Sequence, residues 1–229
     1  MANATVIRAL RLRATRADAC GVLEAEATAN SRVTTNAFVS ASLATDVFTS
    51  TDIQVVGADG GVCARSKGRN TLQGFDVTLT LCNYNEALLE LLLGMTILTD
   101  YAAPVENVGG VIAASGTPNP NVVALELFPE NGNNDACATG GGNPARPYLH
   151  YVLPKVTGWE LGGTIDFGDA ASTITLTGYA EPSTTFTASR AVDEWTAADL
   201  ASIQNNGLLA YREITAAALP APTASGYDA

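Results

Sequence analysis

The sequence is poor in the residues that most chemistry needs. It has one histidine, His150, in 229 residues. Serine nucleophiles, which draw on a histidine base, would all depend on that one side chain, and no G-x-S-x-G stretch is present. His150 lies in the run Tyr148-Leu149-His150-Tyr151-Val152 and reads as a packed or hydrogen-bonded strand residue. The four cysteines, Cys20, Cys63, Cys82 and Cys137, form no C-x-x-C pair, which speaks against a structural zinc site. They allow three disulfide pairings, among which spacing does not choose. The basic N-terminal stretch lacks an apolar export core, so buried free thiols are the expectation. Basic side chains are scarce, 12 against 23 acidic, which argues against a nucleic-acid binder. Aromatics are only 7%, too few for a sugar-stacking platform. GADGGVCARSKGR has glycines and a lysine but not the P-loop spacing. Acid pairs such as Asp193/Glu194 or Glu24/Glu26 are easily met by chance among so many carboxylates. No run of about 18 apolar residues exists, so no membrane-spanning helix is expected. Neither an enzyme nor a cofactor is expected from this inventory.

What is present is apolar patterning. Hydrophobic residues make up 47% and charged residues 15%, enough for a real core and unlike a disordered chain. Several stretches alternate with period two. Val6, Arg8, Leu10 and Leu12 oppose Ile7, Ala9, Arg11 and Arg13. Val39, Ala41 and Leu43 oppose Phe38, Ser40 and Ser42. Phe75, Val77, Leu79 and Leu81 oppose Asp76, Thr78, Thr80 and Cys82. Ile174 and Leu176 oppose Thr173, Thr175 and Thr177. Such alternation predicts strands with one face on a core. Further strands are expected at 52–56, 62–65, 122–128, 149–153 and 163–167, with a short one allowed near 108–114. Asp59-Gly60 reads as a hairpin tip.

Two helices are predicted. In NYNEALLELLLG, Asn83 or Asn85 can cap and Gly94 stops the helix. Its leucines, Leu88, Leu89 and Leu92 among them, cover most of the circumference, so it must be buried on several sides. A second helix is expected over 196–206. Thr196 and Asp199 resemble a capping box there, and Trp195 can staple onto Leu200. A long loop near 130–147 and an extended C-terminal arm near 208–229 complete a single domain, 1–229. Charge divides unevenly. Residues 1–70 are net +2 and residues 71–229 net -13, within a total of -11. This asymmetry fits head-to-tail docking as well as plain solubility.

From Asp52 to Gly94 the order is strand, Asp-Gly hairpin, Val62-Cys63, basic-polar loop, strand Phe75–Cys82 and capped leucine helix. Later come Val123-Ala124-Leu125-Glu126-Leu127-Phe128 and the run LPKVTGWELGGTIDFGDAASTITLTG within Tyr148–Tyr179. With the opening strand and Ala19-Cys20-Gly21, this series resembles the major tail tube proteins of long-tailed bacteriophages of actinobacteria. The resemblance covers most of residues 5–180. It rests on the order of short motifs more than on any one of them.

The resemblance implies a mainly β fold: a tail-tube β-sandwich or partial barrel with a flanking α-helix. Its inner strands would join a multi-subunit β-barrel. It also implies a homo-oligomer, hexameric rings stacked head to tail into a virion tube that is assembled in the host cytoplasm. Through the lumen pass a tape measure protein and double-stranded DNA without tight binding. Tail terminator and tail-tip proteins would be further partners, and no membrane is involved. A conduit for DNA needs a wall that does not grip phosphate, so acids and hydroxyls are expected on the lumen. Asp46, Asp76 and Glu181 are the candidates, with Arg8, Arg11, Arg13 and Arg16 facing neighbours or outward. Another virion protein, such as a tail terminator or capsid decoration protein, is the main alternative. A carbohydrate-binding or adhesin module is a second.

Overall fold

The computed structural model describes residues 6–24, 30–56, 58, 62–83, 85–99, 107–112, 121–132, 145–162, 173–186, 195, 197–204 and 207–222. The chain is mainly β. Its strands are β1 (Val6–Ala17), β2 (Arg32–Thr35), β3 (Phe38–Thr49), β4 (Ile53–Val56), β5 (Val62–Ser66) and β6 (Asn70–Leu81). After helix α1 (Glu86–Leu93) come β7 (Thr96–Thr99), β8 (Asn107–Ile112), β9 (Val122–Asn131), β10 (Tyr148–Leu161) and β11 (Ile174–Ala180). Helix α2 (Ala197–Gln204) and β12 (Ala210–Ile214) follow.

One antiparallel sheet runs in the order β2-β1-β9-β10-β11-β6-β3. The 14-residue β10 serves two neighbours on one side. Its first half pairs with β12, Tyr148 opposite Ile214, and its second half pairs with β11, Leu161 opposite Leu176. Register breaks around Pro154 and Gly158 bend β10 between these halves. The two edge strands, β2 and β3, are separated in sequence only by Asn36 and Ala37. Opposite edges joined by so short a link force the sheet to roll, and β1 and β3 come to line one cleft. Two small hairpins, β4-β5 and β7-β8, stand beside this sheet.

Helix α1 packs against the inner face. The side chain of Asn85 accepts a hydrogen bond from the Leu88 amide at 3.0 Å. Gly94 adopts φ 65°, the left-handed stop that favours glycine. Asn121 also donates to the carbonyls of Glu90 and Leu91, at 3.2 and 2.9 Å, satisfying the last turn. Leu88, Leu91 and Leu92 are fully buried and Leu89 is 2% exposed, as the apolar circumference predicted. They share a core with Val77, Leu79, Leu81, Leu125, Leu153 and Leu176. Each buried leucine contributes about 1.5–3 kcal/mol of transfer free energy. Over β9 and β10, α2 covers the opposite face. Val122, Ala124, Val152, Phe186 and Ile203 cluster there with Trp195 and Leu200 packed on them.

Some expectations change. In β3, Phe38 turns inward and Val39 outward, at 61% exposure, because a register shift between Phe38 and Ser40 breaks the alternation. Cys20 and Cys82 are exposed free thiols rather than buried ones: Cys20 sits in a turn, and Cys82 in the bend just past the end of β6. Much of the expected C-terminal arm is docked. Residues 210–214 form β12, and the Arg11 guanidinium donates to the Pro220 carbonyl. The expected strand 163–167, the tip Asp59-Gly60, Thr196, Cys137 and most of the 130–147 loop lie outside the described residues.

Burial of α1 makes a stability prediction. Leu92→Ala should lower the unfolding free energy by about 2–5 kcal/mol. In contrast Leu98→Ala, at a position 38% exposed, should change it by about 0.5 kcal/mol or less. Chemical denaturation of the two variants measures the difference.

Candidate functional site

Beyond α2, none of the described elements covers the outer face of the sheet over β3, β6 and β11. Across β3, β6 and β11 the registers align Ser40, Thr80 and Thr175 in one row and Ser42, Thr78 and Thr177 in the next. Glu160 of β10 stands opposite Thr177. Ala44, Asp76 and Tyr179 make the third row, and Asp46 opposite Gly74 begins a fourth. The same strands turn Val77, Leu79, Leu81 and Leu176 to the core. Period-two alternation therefore collects hydroxyls and carboxylates into one continuous surface.

Tyr179 organises its acidic end. The phenol donates to Asp46 Oδ2 at 2.7 Å, reaching diagonally from β11 across β6 to β3. This crossing requires Gly74: a Cβ there would lie 2.4 Å from the Tyr179 hydroxyl and 2.6 Å from the Ala180 carbonyl. The hydrogen bond to Asp46 comes first among the causes that push the Tyr179 pKa up to about 12. Desolvation and the charges of Asp46, Asp76 and Glu181 add to it. All three acids picked out from the sequence thus surround one phenol. Asp76 is exposed and Asp46 half-buried. Glu181 sits at the margin, 2.8 Å from Lys155 Nζ and accepting from the Thr157 hydroxyl at 3.1 Å. Lys155 holds its carboxyl below the usual range, against a smaller opposing effect of desolvation. Tyr179 and Glu160 were missed in the sequence. The isolated glycine at 74, inside a strand pattern, is the signal that marks a close approach there.

A second polar group is buried. Arg13 Nε lies 2.5 Å from Glu126 Oε2, with side chains 8% and 0% exposed. Arg13, expected to face neighbours or outward, is instead buried within its own chain. On β1 it shares the α2-side face with Glu126 of β9, its directly paired residue, and a buried carboxylate requires a cation. His150 Nε2 stands 3.4 Å from the same carboxylate oxygen. The Trp195 indole N–H donates to His150 Nδ1 at 3.2 Å, so Nε2 carries the ring proton and points toward Glu126. Phe128 stacks on His150 with centroids 4.5 Å apart, and the Arg13 guanidinium lies 5.4 Å from the Phe128 centroid. His150 and Glu126 are 2% and 0% exposed, so neither meets a substrate from solvent. Their role is to fasten β1, β9, β10 and Trp195 together. Of the other early arginines, Arg8 reaches outward and pairs with Glu130 at 3.0 Å. No group of three or more potential metal ligands occurs among the described residues. Nor is any helix among them long and apolar enough to cross a membrane.

Fold and surface together define a mainly β protein: one rolled antiparallel sheet, a helix on its inner face, and an open outer face of hydroxyls and carboxylates. No protein-family model matches the chain, and no curated protein matches it either.

Two measurements test these geometries. Asp46→Asn should bring the Tyr179 midpoint down from about 12 toward 10, followed by ultraviolet titration with Tyr179→Phe to assign the transition. Because the folded value is raised, the associated stability is complete below pH 10 and vanishes as pH climbs through about 12. Arg13→Met should cost roughly 3–5 kcal/mol in urea unfolding, by stranding the Glu126 carboxylate. The double variant Arg13→Met/Glu126→Leu should recover most of that loss, and an equally unstable double variant would contradict the charge argument.

Proposed function

We propose that this chain is a structural tile of a phage tail tube, stacked as rings around a passage for double-stranded DNA and a tape measure protein. The observation that carries this reading is the polar sheet face that no described element covers. Its rows hold Ser40, Ser42, Thr78, Thr80, Thr175 and Thr177 with Asp46, Asp76 and Glu160, and no lysine or arginine stands in them. Duplex DNA carries about one negative charge per 1.7 Å of its axis. A wall of acids and hydroxyls repels or ignores such a polymer, where lysines would bind it and slow its passage. In the proposed tube this face lines the lumen, with Asp46 and Asp76 on the wall and Glu181 at its margin.

Two further features support the reading. The sheet is already rolled, but β3 is an edge strand with no outer partner among the described residues. An open edge of this kind is a template for pairing with another chain, and a barrel closed across subunits leaves no such edge. The net charge of -11 also keeps unassembled subunits apart until specific contacts form. Ring symmetry of six and the tail terminator and tail-tip partners come from the family resemblance. The virion setting, with assembly in the host cytoplasm, has the same source.

Electron microscopy of the native particle or of concentrated protein tests the proposal. Stacked rings with Asp76 and Thr78 on the inner wall are expected. Single rings that never stack would instead favour a tail terminator or decoration protein, and a lone globule would favour a binding module. In tubes, Thr78→Lys should leave the assembly intact yet make it retain duplex DNA at low salt. Wild-type tubes should release it.

A further inference from the structure

We propose that His150 is a proton-operated latch: with the ring neutral it holds Trp195 and the start of α2 on the sheet, and with the ring charged it lets them go. The inference needs no assembly and stands apart from the tube reading. The chain's one histidine is enclosed between an indole and a carboxylate, and each ring nitrogen faces one of them. Nδ1 accepts from the Trp195 indole at 3.2 Å. Nε2 stands 3.4 Å from Glu126 Oε2, just beyond a good hydrogen bond.

A proton on Nδ1 changes which partner the ring can serve. Both nitrogens of a charged imidazole are donors, and an indole N–H is a donor only. The contact with Trp195 then sets two N–H groups against each other. The contact with Glu126 gains, because a charged donor now meets a carboxylate. Glu126 has capacity for it: Oε2 is taken by Arg13, while Oε1 has no hydrogen-bond partner among the described residues. The neutral ring therefore belongs to Trp195 and the charged ring to Glu126. Docked Trp195 selects the neutral ring, so docking is complete at high pH and weakens as pH falls through the ring's titration.

The surrounding charges agree. Arg13 of β1 lies beyond the stacked Phe128, and Arg212 of β12 is the directly paired residue of His150. On β10 itself Tyr148 shares the ring's face by alternation. Farther along that face Arg11 is engaged with the Pro220 carbonyl and Glu130 with Arg8. In α2 the sequence carries one charged residue, Asp199, and the side chains packed on the sheet are Leu200 and Ile203. Two guanidinium groups against one buried carboxylate resist a third positive charge, so the ring keeps its proton only by turning to Glu126.

Helix α2 is suited to respond. It has eight residues, too few to be stable without its contacts. Its far end is tied by Gln204 Nε2, which donates to the Phe186 carbonyl at 2.6 Å, and by the bridge between Gly207 and Ser183. Its near end is held by Trp195, packed on the cluster of Val122, Ala124 and Val152 and bonded to His150. Release at Trp195 frees the near end while the far end stays tied, and uncovers an apolar strip of β9 and β10.

Nuclear magnetic resonance of the nitrogen-15-labelled full chain, followed from roughly pH 8 to pH 5, tests the latch. The Trp195 indole signal, assigned with Trp195→Phe, should move with the same midpoint as the His150 ring nitrogens, and the Trp159 indole should stay in place. Amide protection over residues 197–204, corrected for the pH dependence of intrinsic exchange, should fall about tenfold while that of 122–131 is kept. In Trp195→Phe the ring loses the bond that favours its neutral form, so its midpoint should rise by about 0.5–1 unit. His150→Gln offers the indole an acceptor that does not titrate and should abolish the pH response. A ring that titrates while the indole and α2 protection stay fixed overturns the proposal. So does a folded chain whose ring remains neutral down to the acid end of the range, a midpoint unmoved in Trp195→Phe, or a pH response that persists in His150→Gln.

Discussion

Enclosure of α1 is the constraint from which the rest of the architecture follows. A helix whose leucines point in nearly every direction has no face to give to water. A flat sheet covers one side of such a helix. This sheet instead rolls, with β2 and β3 acting as one strand that turns a corner at Asn36 and Ala37. Rolling brings Val33, Leu12 and Leu125 from one end of the sheet and Val77, Leu79 and Leu176 from the other into one core with Leu88 and Leu92.

The same roll has two consequences for the outside. Strands β6 and β11 give every second residue to the core, so their alternate residues necessarily collect on the opposite face. With α2 spent on β9 and β10, no described element covers that face over β3, β6 and β11, where threonines, serines and acids fill it. The roll also stops short of closure, which leaves a cleft between β1 and β3. In the proposed tube, the open face meets the lumen.

Polar groups are placed unequally, and burial explains why. Glu126 is fully enclosed and is matched by Arg13, with His150 and Trp195 arranged around it. Breaking such a group strands a charge, so it fixes how β1, β9 and β10 sit together. Asp76, in contrast, is exposed, and water solvates its charge. Asp46 lies between these cases. Tyr179 ties it across β6, with Gly74 making the room.

Local signals determined much of this protein. The period-two pattern of 75–82 and 173–177 specified which residues face the core, because neighbouring side chains on a strand must point to opposite sides. Asn85, Gly94 and the leucines between them specified a buried helix and both its ends. Asp46, Asp76 and Glu181 could be chosen as acids of a polar face, but not as a group. Only the tertiary structure decided that they meet around Tyr179, that Arg13 turns inward to Glu126, and that Val39 rather than Phe38 faces out. Those outcomes depend on strand order and on bulges, which set partners far apart in sequence. Neither quantity is written in the spacing of neighbouring residues.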